Sequence, residues 1–463
     1  MSAIDLNHPS HAINGKYLFG HPIGLYFLFF TELWERFSYY GMRAILVLFI
    51  VDSVETGGLG WTNAEALALY GWYTMLVYLA TIPGGVIADR ILGQKKTVLI
   101  GGLLLCAGHA ILAVEAMWAF YSGLTLIVLG VGGLKSNIST MVGGLYRQGD
   151  PNRDRGFTIF YIGINIGAFM AGIVVASVAA IWGWHYGFGL AGIGMLVGQI
   201  MYLVGQKYLT GVGDYVEPEK TEDGGKEKPL TKIEKDRVGV LLISFLIVIV
   251  FWGAFEQAGG LLNLYAQQKT DRMLMGFEVP AGWFQSLNPA FIILFGTVVS
   301  GFWFWWYKKG KESSSIFKMA VGTVIMGFGF FFMTAAAAEA NTSATGLAGM
   351  QWLFLAYLFH TIGELCVSPV ALSFITKLAP VKYASIMMGV YFACTGFGNK
   401  VAGLLGEAAQ SLGEYAIFTG IAIFSIAFGL LLLLFLKKLK ALTHGAEDVN
   451  DGTSGAEAET EIA

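Results

Sequence analysis

The chain has 463 residues, of which 55% are hydrophobic and only 13% charged, with a formal net charge of -3 and a mean hydropathy of +0.62. An average soluble domain carries about 25% charged residues, so the composition excludes a soluble globular fold and predicts an all-α polytopic membrane protein. Cys106, Cys366 and Cys394 all lie in apolar runs, which excludes a disulfide framework and a metal-ligand spacing; no metal or cofactor is expected.

In chain order, residues 1–22 are polar and lack the basic stretch and short apolar core of a cleaved signal peptide. They read as a cytoplasmic N-terminus. A spanning helix needs ~20 mostly apolar residues, and on that length about twelve spans are predicted: 23–51, 67–88, 96–114, 117–146, 156–181, 186–207, 238–257, 282–307, 316–338, 350–375, 383–406 and 413–436. Residues 23–207 then form one six-helix bundle and 238–440 a second. The stretch 208–237 is rich in Glu, Lys and Gly and reads as a cytoplasmic linker, and 441–463, acidic and rich in small residues, as a disordered cytoplasmic tail.

Lys and Arg cluster in alternate connections, at Arg90 to Lys96, Arg147 to Arg155, Lys207 to Arg237, Lys308 to Lys318, Lys377 to Lys382 and Lys437 to Lys440. By the positive-inside rule both termini are cytoplasmic, and these basic loops are topology signals rather than nucleic-acid sites. The expected location is the cytoplasmic (inner) membrane, crossed many times. Pro83, Pro289 and Pro369 fall inside apolar segments, where a freed backbone group is tolerated mainly beside a cavity or a neighbouring helix.

Against this apolar background the stretch Thr31 to Arg43 stands out. Glu32, Glu35, Arg36, Tyr39, Tyr40 and Arg43 fall at offsets that line one helical face. Charges inside a membrane helix are costly unless they face one another or a wet cavity, so they mark a transport path or a proton relay. The other intramembrane charges are Glu256, Lys135, Glu364 and Lys400, giving as many acids as bases. Counting helix rise places Arg43 and Glu256 near the outer surface, and Lys135 and Glu364 at or below the midplane. An outer pair, Arg43 with Glu256, and a deeper pair, Lys135 with Glu364, are predicted as gates that cannot all be closed together, which is what alternating access requires. A carboxylate that loses its cation to a substrate would accept a proton, which is a route to symport. Lys400 receives no role, and His360, one turn from Glu364, is a candidate for tuning it.

The segment Glu32-x-x-Glu35-Arg36-Phe37-x-Tyr39-Tyr40-Gly41 resembles the first-helix signature of the proton-dependent oligopeptide transporters, a branch of the major facilitator superfamily. Phe160-Tyr161-x-x-Ile164-Asn165-x-Gly167 is similar to that family's fifth-helix signature, and Gly84-Gly85-x-x-Ala88-Asp89-Arg90-x-x-Gly93 to the superfamily's loop motif. Phe251-Trp252-x-x-Phe255-Glu256-Gln257, Gln285-Ser286-Leu287-Asn288-Pro289 and Gly363-Glu364-Leu365-x-x-Ser368-Pro369 also resemble family segments, from about Gly20 to Lys440.

The resemblance implies the major facilitator fold and uptake of di- and tripeptides with protons, driven by the proton gradient, with no obligatory protein partner. It implies that Arg43 and Lys135 attend the peptide carboxylate, that Asn165 and Asn288 hold polar groups, and that Glu364 meets the amino terminus. Tyr39, Tyr40, Tyr78, Tyr161, Trp252 and Ser368 would line the pocket, and Glu32, Glu35 and Arg36, with Glu256, would handle the proton. Two departures stand out. Gly71 occupies the position where animal members carry a proton-handling histidine, and 208–237 is too short and polar for the extra helix pair of many bacterial members. Rival readings are an exporter or another organic-anion carrier on the same scaffold, a channel, and a membrane enzyme, for which no catalytic cluster or phosphate loop is found.

Overall fold

Hydrocarbon offers the backbone no hydrogen-bond partner, so apolar spans fold as helices that satisfy themselves. The computed structural model describes residues 17–147, 150, 152–215, 230–380 and 383–447. Among the described residues twelve long helical segments follow one another: α1 Ile23–Val51, α2 Asn63–Leu92, α3 Gln94–Leu112, α4 Met117–Gly144, α5 Asn152–Trp182, α6 Trp184–Tyr208, α7 Lys232–Gln268, α8 Ala281–Lys308, α9 Ser315–Thr342, α10 Gln351–Leu378, α11 Ala384–Leu412 and α12 Glu414–Leu434. Ten are long and apolar enough to cross a membrane on length and composition alone. The other two, α1 and α11, are 29 residues each, and α1 carries Glu32, Glu35, Arg36 and Arg43.

Two boundaries differ from the sequence-based expectation because of capping. A capping box, in which Thr62 and Glu65 satisfy each other's backbone N–H groups, starts α2 at Asn63 rather than at residue 67. Thr231 and Glu234 form another, so α7 begins at Lys232 and the end of the expected linker is helical. At the other end of that linker Leu209 and Val212 are buried, and Lys95 N donates to Gly213 O at 2.8 Å. The rest of the linker, 216–229, lies outside the described residues, as do 1–16 and 448–463. The described start of the expected disordered tail is ordered instead: Arg237 donates to the carbonyl oxygens of Thr443 at 3.1 Å and His444 at 3.3 Å, and the carboxylate of Glu447 accepts from Ser315. Backbone acceptors, which residue type does not announce, and the Glu447 carboxylate hold it.

Among the first six helices α1 packs on α5 and α6, and α3 on α4; among the second six α9 packs on α10 and α12, and α7 on α11. The two sets meet where α2 lies against α11 and α5 against α8. The α2–α11 seam is a backbone contact: a Cβ on Gly71 would stand 2.9 Å from Gly403 Cα, close approach of the kind small residues permit between membrane helices. This explains the sequence departure at position 71, since a histidine there has no room.

Two helices are interrupted among the described residues, and a third carries a proline in its interior. α2 bends where Ala80 gives way to Thr81–Ile87, around Pro83; α10 contains Pro369. α7 breaks after Phe255 into a short turn, Glu256–Ala258, and resumes as Leu261–Gln268 beyond Gly260 (φ -107°, ψ -99°), which is why hydropathy alone ended it at 257.

Hydrogen bonds between the two sets gather at the end away from the basic loops, taken as the outer end. Asn263 Nδ2 donates to Ala44 O at 2.8 Å, Trp283 Nε1 to Ser177 Oγ at 2.8 Å, Ser286 Oγ to Phe169 O at 2.7 Å, and Asn63 Nδ2 to Gln268 Oε1 at 3.0 Å. The two sets are therefore bonded together at this end. Gly71→Val should prop it open, at a cost of about 1–3 kcal/mol for the overpacked seam. In a chain with its three cysteines replaced by alanine, Leu67→Cys, buried here between Gly260 and Gly406, should then become reactive to an impermeant maleimide. Continued protection of that cysteine would contradict this account of the seam.

Candidate functional site

The ionic face of α1 is buried as a ladder. Arg36 Nε lies 3.0 Å from Glu32 Oε1 and 2.5 Å from Glu35 Oε2, with all three side chains at most 4% exposed. These are ion-pair contacts without aligned hydrogen bonds, and Glu32 Oε2, Glu35 Oε1 and Arg36 Nη2 have no hydrogen-bond partner among the described residues. The unpartnered carboxylate oxygens keep capacity for a proton or a further cation. Lys135 on α4 is close enough to act electrostatically on both carboxylates.

One turn outward come the tyrosines. The Arg36 guanidinium carbon is 5.7 Å from the centre of the Tyr39 ring and 5.8 Å from that of Tyr40, and the Arg43 guanidinium carbon lies 5.7 Å from the centre of the Tyr40 ring. Tyr40 thus contacts both guanidiniums, a cation–π arrangement worth more in a desolvated site than in water. At the outer rung Arg43 Nη2 forms an ion pair with Glu256 Oε2, and Arg43 Nε donates to the Tyr70 hydroxyl at 2.6 Å. Glu256 sits at the α7 break, 2% exposed. The predicted outer pair is closed.

The carbonyl freed by that break is held by residues the sequence did not single out for this. Ala258 O accepts from Gln285 Nε2 at 2.6 Å and from the Tyr357 hydroxyl at 3.3 Å, and Gln285 also reaches that hydroxyl at 3.1 Å. Tyr70, Gln285 and Tyr357 leave no signal in spacing, because each acts across helices; Gln285 had appeared only inside a family-like segment.

The deeper residues are arranged differently. Asn288 Nδ2 donates to Glu364 Oε2 at 2.7 Å and to Thr361 Oγ1 at 3.1 Å, so Glu364 is held by an amide. Lys135 Nζ stands 3.7 Å from the centre of the Tyr78 ring, and no ion pair joins Lys135 to Glu364 among the described residues. The predicted inner pair is therefore apart in this structure while the outer pair is made. Asn165 Nδ2 donates to Tyr161 O at 2.9 Å, in its own helix, and Tyr161 is 46% exposed. Trp252 packs edge-on against Phe251 and Phe255, and Tyr391 of α11 stands beside both Trp252 and Ser368.

Two residues left open by the sequence have structural surroundings. Lys400 lies 3.7 Å from Glu407 and 4.6 Å from the centre of the Trp72 ring across the α2–α11 seam. His360 is buried against Phe330, ring centres 4.5 Å apart.

The chemistry on offer is two cations on the first six helices, Arg43 and Lys135, and two acids on the second six, Glu256 and Glu364. Exchanging the outer charges, Arg43→Glu with Glu256→Arg, should recover part of the transport that either single reversal removes, because breaking a buried pair costs about 3–5 kcal/mol. Uptake by the three variants measures this; no recovery would argue against direct contact.

Residues 95–214 and 227–415 match the family model described as the POT family. The chain is 37% identical to a peptide transporter of Yersinia enterocolitica over 85% of this chain and 89% of that protein. It is 33% identical to a di-/tripeptide transporter of Lactococcus lactis over 92% of this chain and 97% of the relative. A solved structure of a peptide transporter POT in complex with sulfate superposes with a TM-score of 0.86 at 34% identity, covering 92% of this chain and 97% of that one.

Proposed function

The chain belongs to the POT family of peptide transporters, and from that premise we propose that it is a proton-coupled symporter. It imports di- and tripeptides by alternating access, with salt bridges between its two bundles as gates. It is a multi-pass membrane transport protein rather than an enzyme. The observation that carries this reading is the asymmetry of the two charge sets: Arg43 is paired with Glu256 at the closed outer end, while Lys135 rests on Tyr78 and Glu364 on Asn288.

A peptide is a zwitterion, and its two ends suit charges that sit on opposite bundles. Its carboxylate is taken by Arg43 and Lys135, its amino group by Glu364 with Asn288 beside it, and Tyr39, Tyr40, Tyr78, Tyr161, Trp252 and Ser368 enclose its body. Binding therefore draws the bundles together from within.

Proton and substrate are linked through the same cation. A proton on Glu256 removes the partner of Arg43, and a buried guanidinium without an anion is costly. The peptide carboxylate supplies that anion, so proton and peptide each favour the binding of the other. Inward, Glu32 and Glu35 share Arg36 and lie within reach of Lys135, so a proton on this cluster frees cationic capacity for Lys135 to hold or release the substrate. With Gly71 where a histidine would otherwise stand, carboxylates carry the coupling.

Reconstituted in liposomes, the protein should accumulate labelled dipeptide under an inward proton gradient and lose that accumulation on addition of a protonophore. Accumulation indifferent to the protonophore would refute proton coupling, and no uptake of any peptide would refute the substrate class. Glu32→Gln should abolish accumulation while counterflow exchange survives; equal loss of both would remove Glu32 from the coupling step.

A further inference from the structure

The second bundle carries a groove on its outside that the transport path does not use. α8 leans on α10 and on α5 but stands off from α9, leaving a wholly apolar cleft of about 460 Å³ between Val299 and Trp303 of α8 and Val321 and Ile325 of α9, floored by Ile362 and Cys366 of α10. Trp306 closes the end nearest the basic loop. Cations sit on that end: Lys311 Nζ lies 4.1 Å from the centre of the Trp306 ring and Lys318 Nζ 5.6 Å from that of Trp303. Lys308 and Lys309 adjoin them in sequence. Of the two carboxylates nearby, Glu312 is engaged by Lys440 at 3.1 Å and by Ser314 N at 2.8 Å. Glu447 accepts from Ser315 through one oxygen and faces Lys318. The lysines outnumber the acids.

We propose that this groove binds an acidic phospholipid, one acyl chain lying between α8 and α9 and the phosphate resting on Lys311 and Lys318. Both features are needed for the assignment. An apolar cleft alone accepts any acyl chain, whereas a basic cluster between membrane helices selects an anionic headgroup, and the tryptophans belong at the interface where chain gives way to headgroup. A second protein helix suits the site poorly, because such contacts use small residues that let backbones approach, and this lining is Val, Ile, Phe and Trp.

Occupancy bears on the substrate site. Ile362 and Cys366 flank Glu364 by two residues on either side along α10, so the groove floor is the back of the turn that presents Glu364. The groove's other wall is α8, whose Asn288 holds that carboxylate. A lipid wedged here sets the spacing of the two helices that make the Asn288–Glu364 bond. This consequence rests on the proposed substrate role of Glu364; the binding does not.

Native mass spectrometry of the purified protein, supplied with phosphatidylglycerol or phosphatidylcholine of identical chains, separates the arms. Wild type should retain phosphatidylglycerol preferentially, and Lys311→Gln with Lys318→Gln should reduce that retention about tenfold or more. Lys311→Arg with Lys318→Arg should preserve it, as should Lys437→Gln with Lys438→Gln, which removes equal charge elsewhere on the basic end. Val321→Trp, which fills the cleft, should abolish it. Equal retention of the two lipids by wild type, or undiminished phosphatidylglycerol on the Gln pair, would overturn the proposal. Dipeptide uptake should be faster in phosphatidylglycerol than in phosphatidylcholine liposomes, with the difference lost in the Gln pair; an unchanged difference there would overturn the link to Glu364.

Discussion

Two carboxylates and two guanidiniums on one face of a membrane helix cannot each be hydrated, and leaving any of them unpaired in a low-dielectric interior costs several kcal/mol. The surrounding architecture answers that constraint. α1 is buried along nearly its whole length, packed on α5 and α6 so that its ionic face turns inward. Arg36 is ion-paired with two acids on its own helix. Arg43, about 10 Å further along, has none there and reaches across the seam to Glu256. The closure of the outer end is thus tied to the satisfaction of one guanidinium.

The α7 break serves the same end. A regular helix through Glu256 would satisfy its own carbonyls; here the turn at Glu256–Ala258 leaves Ala258 O to be held by Gln285 and Tyr357 from other helices. Glu256 is therefore placed at a backbone irregularity whose support comes from α8 and α10, the two helices that also hold Glu364. The proposed gate and the proposed substrate site share their scaffold, and a change in the spacing of α8 and α10 reaches both.

What the sequence made legible follows from how local each relation is. The ladder from Glu32 to Arg43 could be read because its members repeat at three and four residues within one helix. Arg43 with Glu256 could be inferred because both are charges at one depth, and few other charges exist to pair with them. The same depth argument joined Lys135 to Glu364, but depth does not fix which state the molecule occupies, and here Tyr78 and Asn288 are their partners. Tyr70, Gln285 and Tyr357 were not legible as site residues: they are ordinary residues of apolar helices until a third dimension sets them beside Arg43 and Ala258. Gly71 was noticed as a departure, yet its reason, the backbone of Gly403, lies more than 300 residues away in the chain. The boundaries that slipped, at Thr62 and Thr231, were set by capping boxes that apolar content does not report.

The central claim is that the Arg43–Glu256 pair holds the outer end shut. Double electron–electron resonance between spin labels at Val54 and Met275, exposed in the outer loops of the two bundles, tests it most directly. Neutralising the acid by Glu256→Gln should shift the distance distribution to longer values in the absence of peptide. A distribution identical to that of the parent chain would contradict the account.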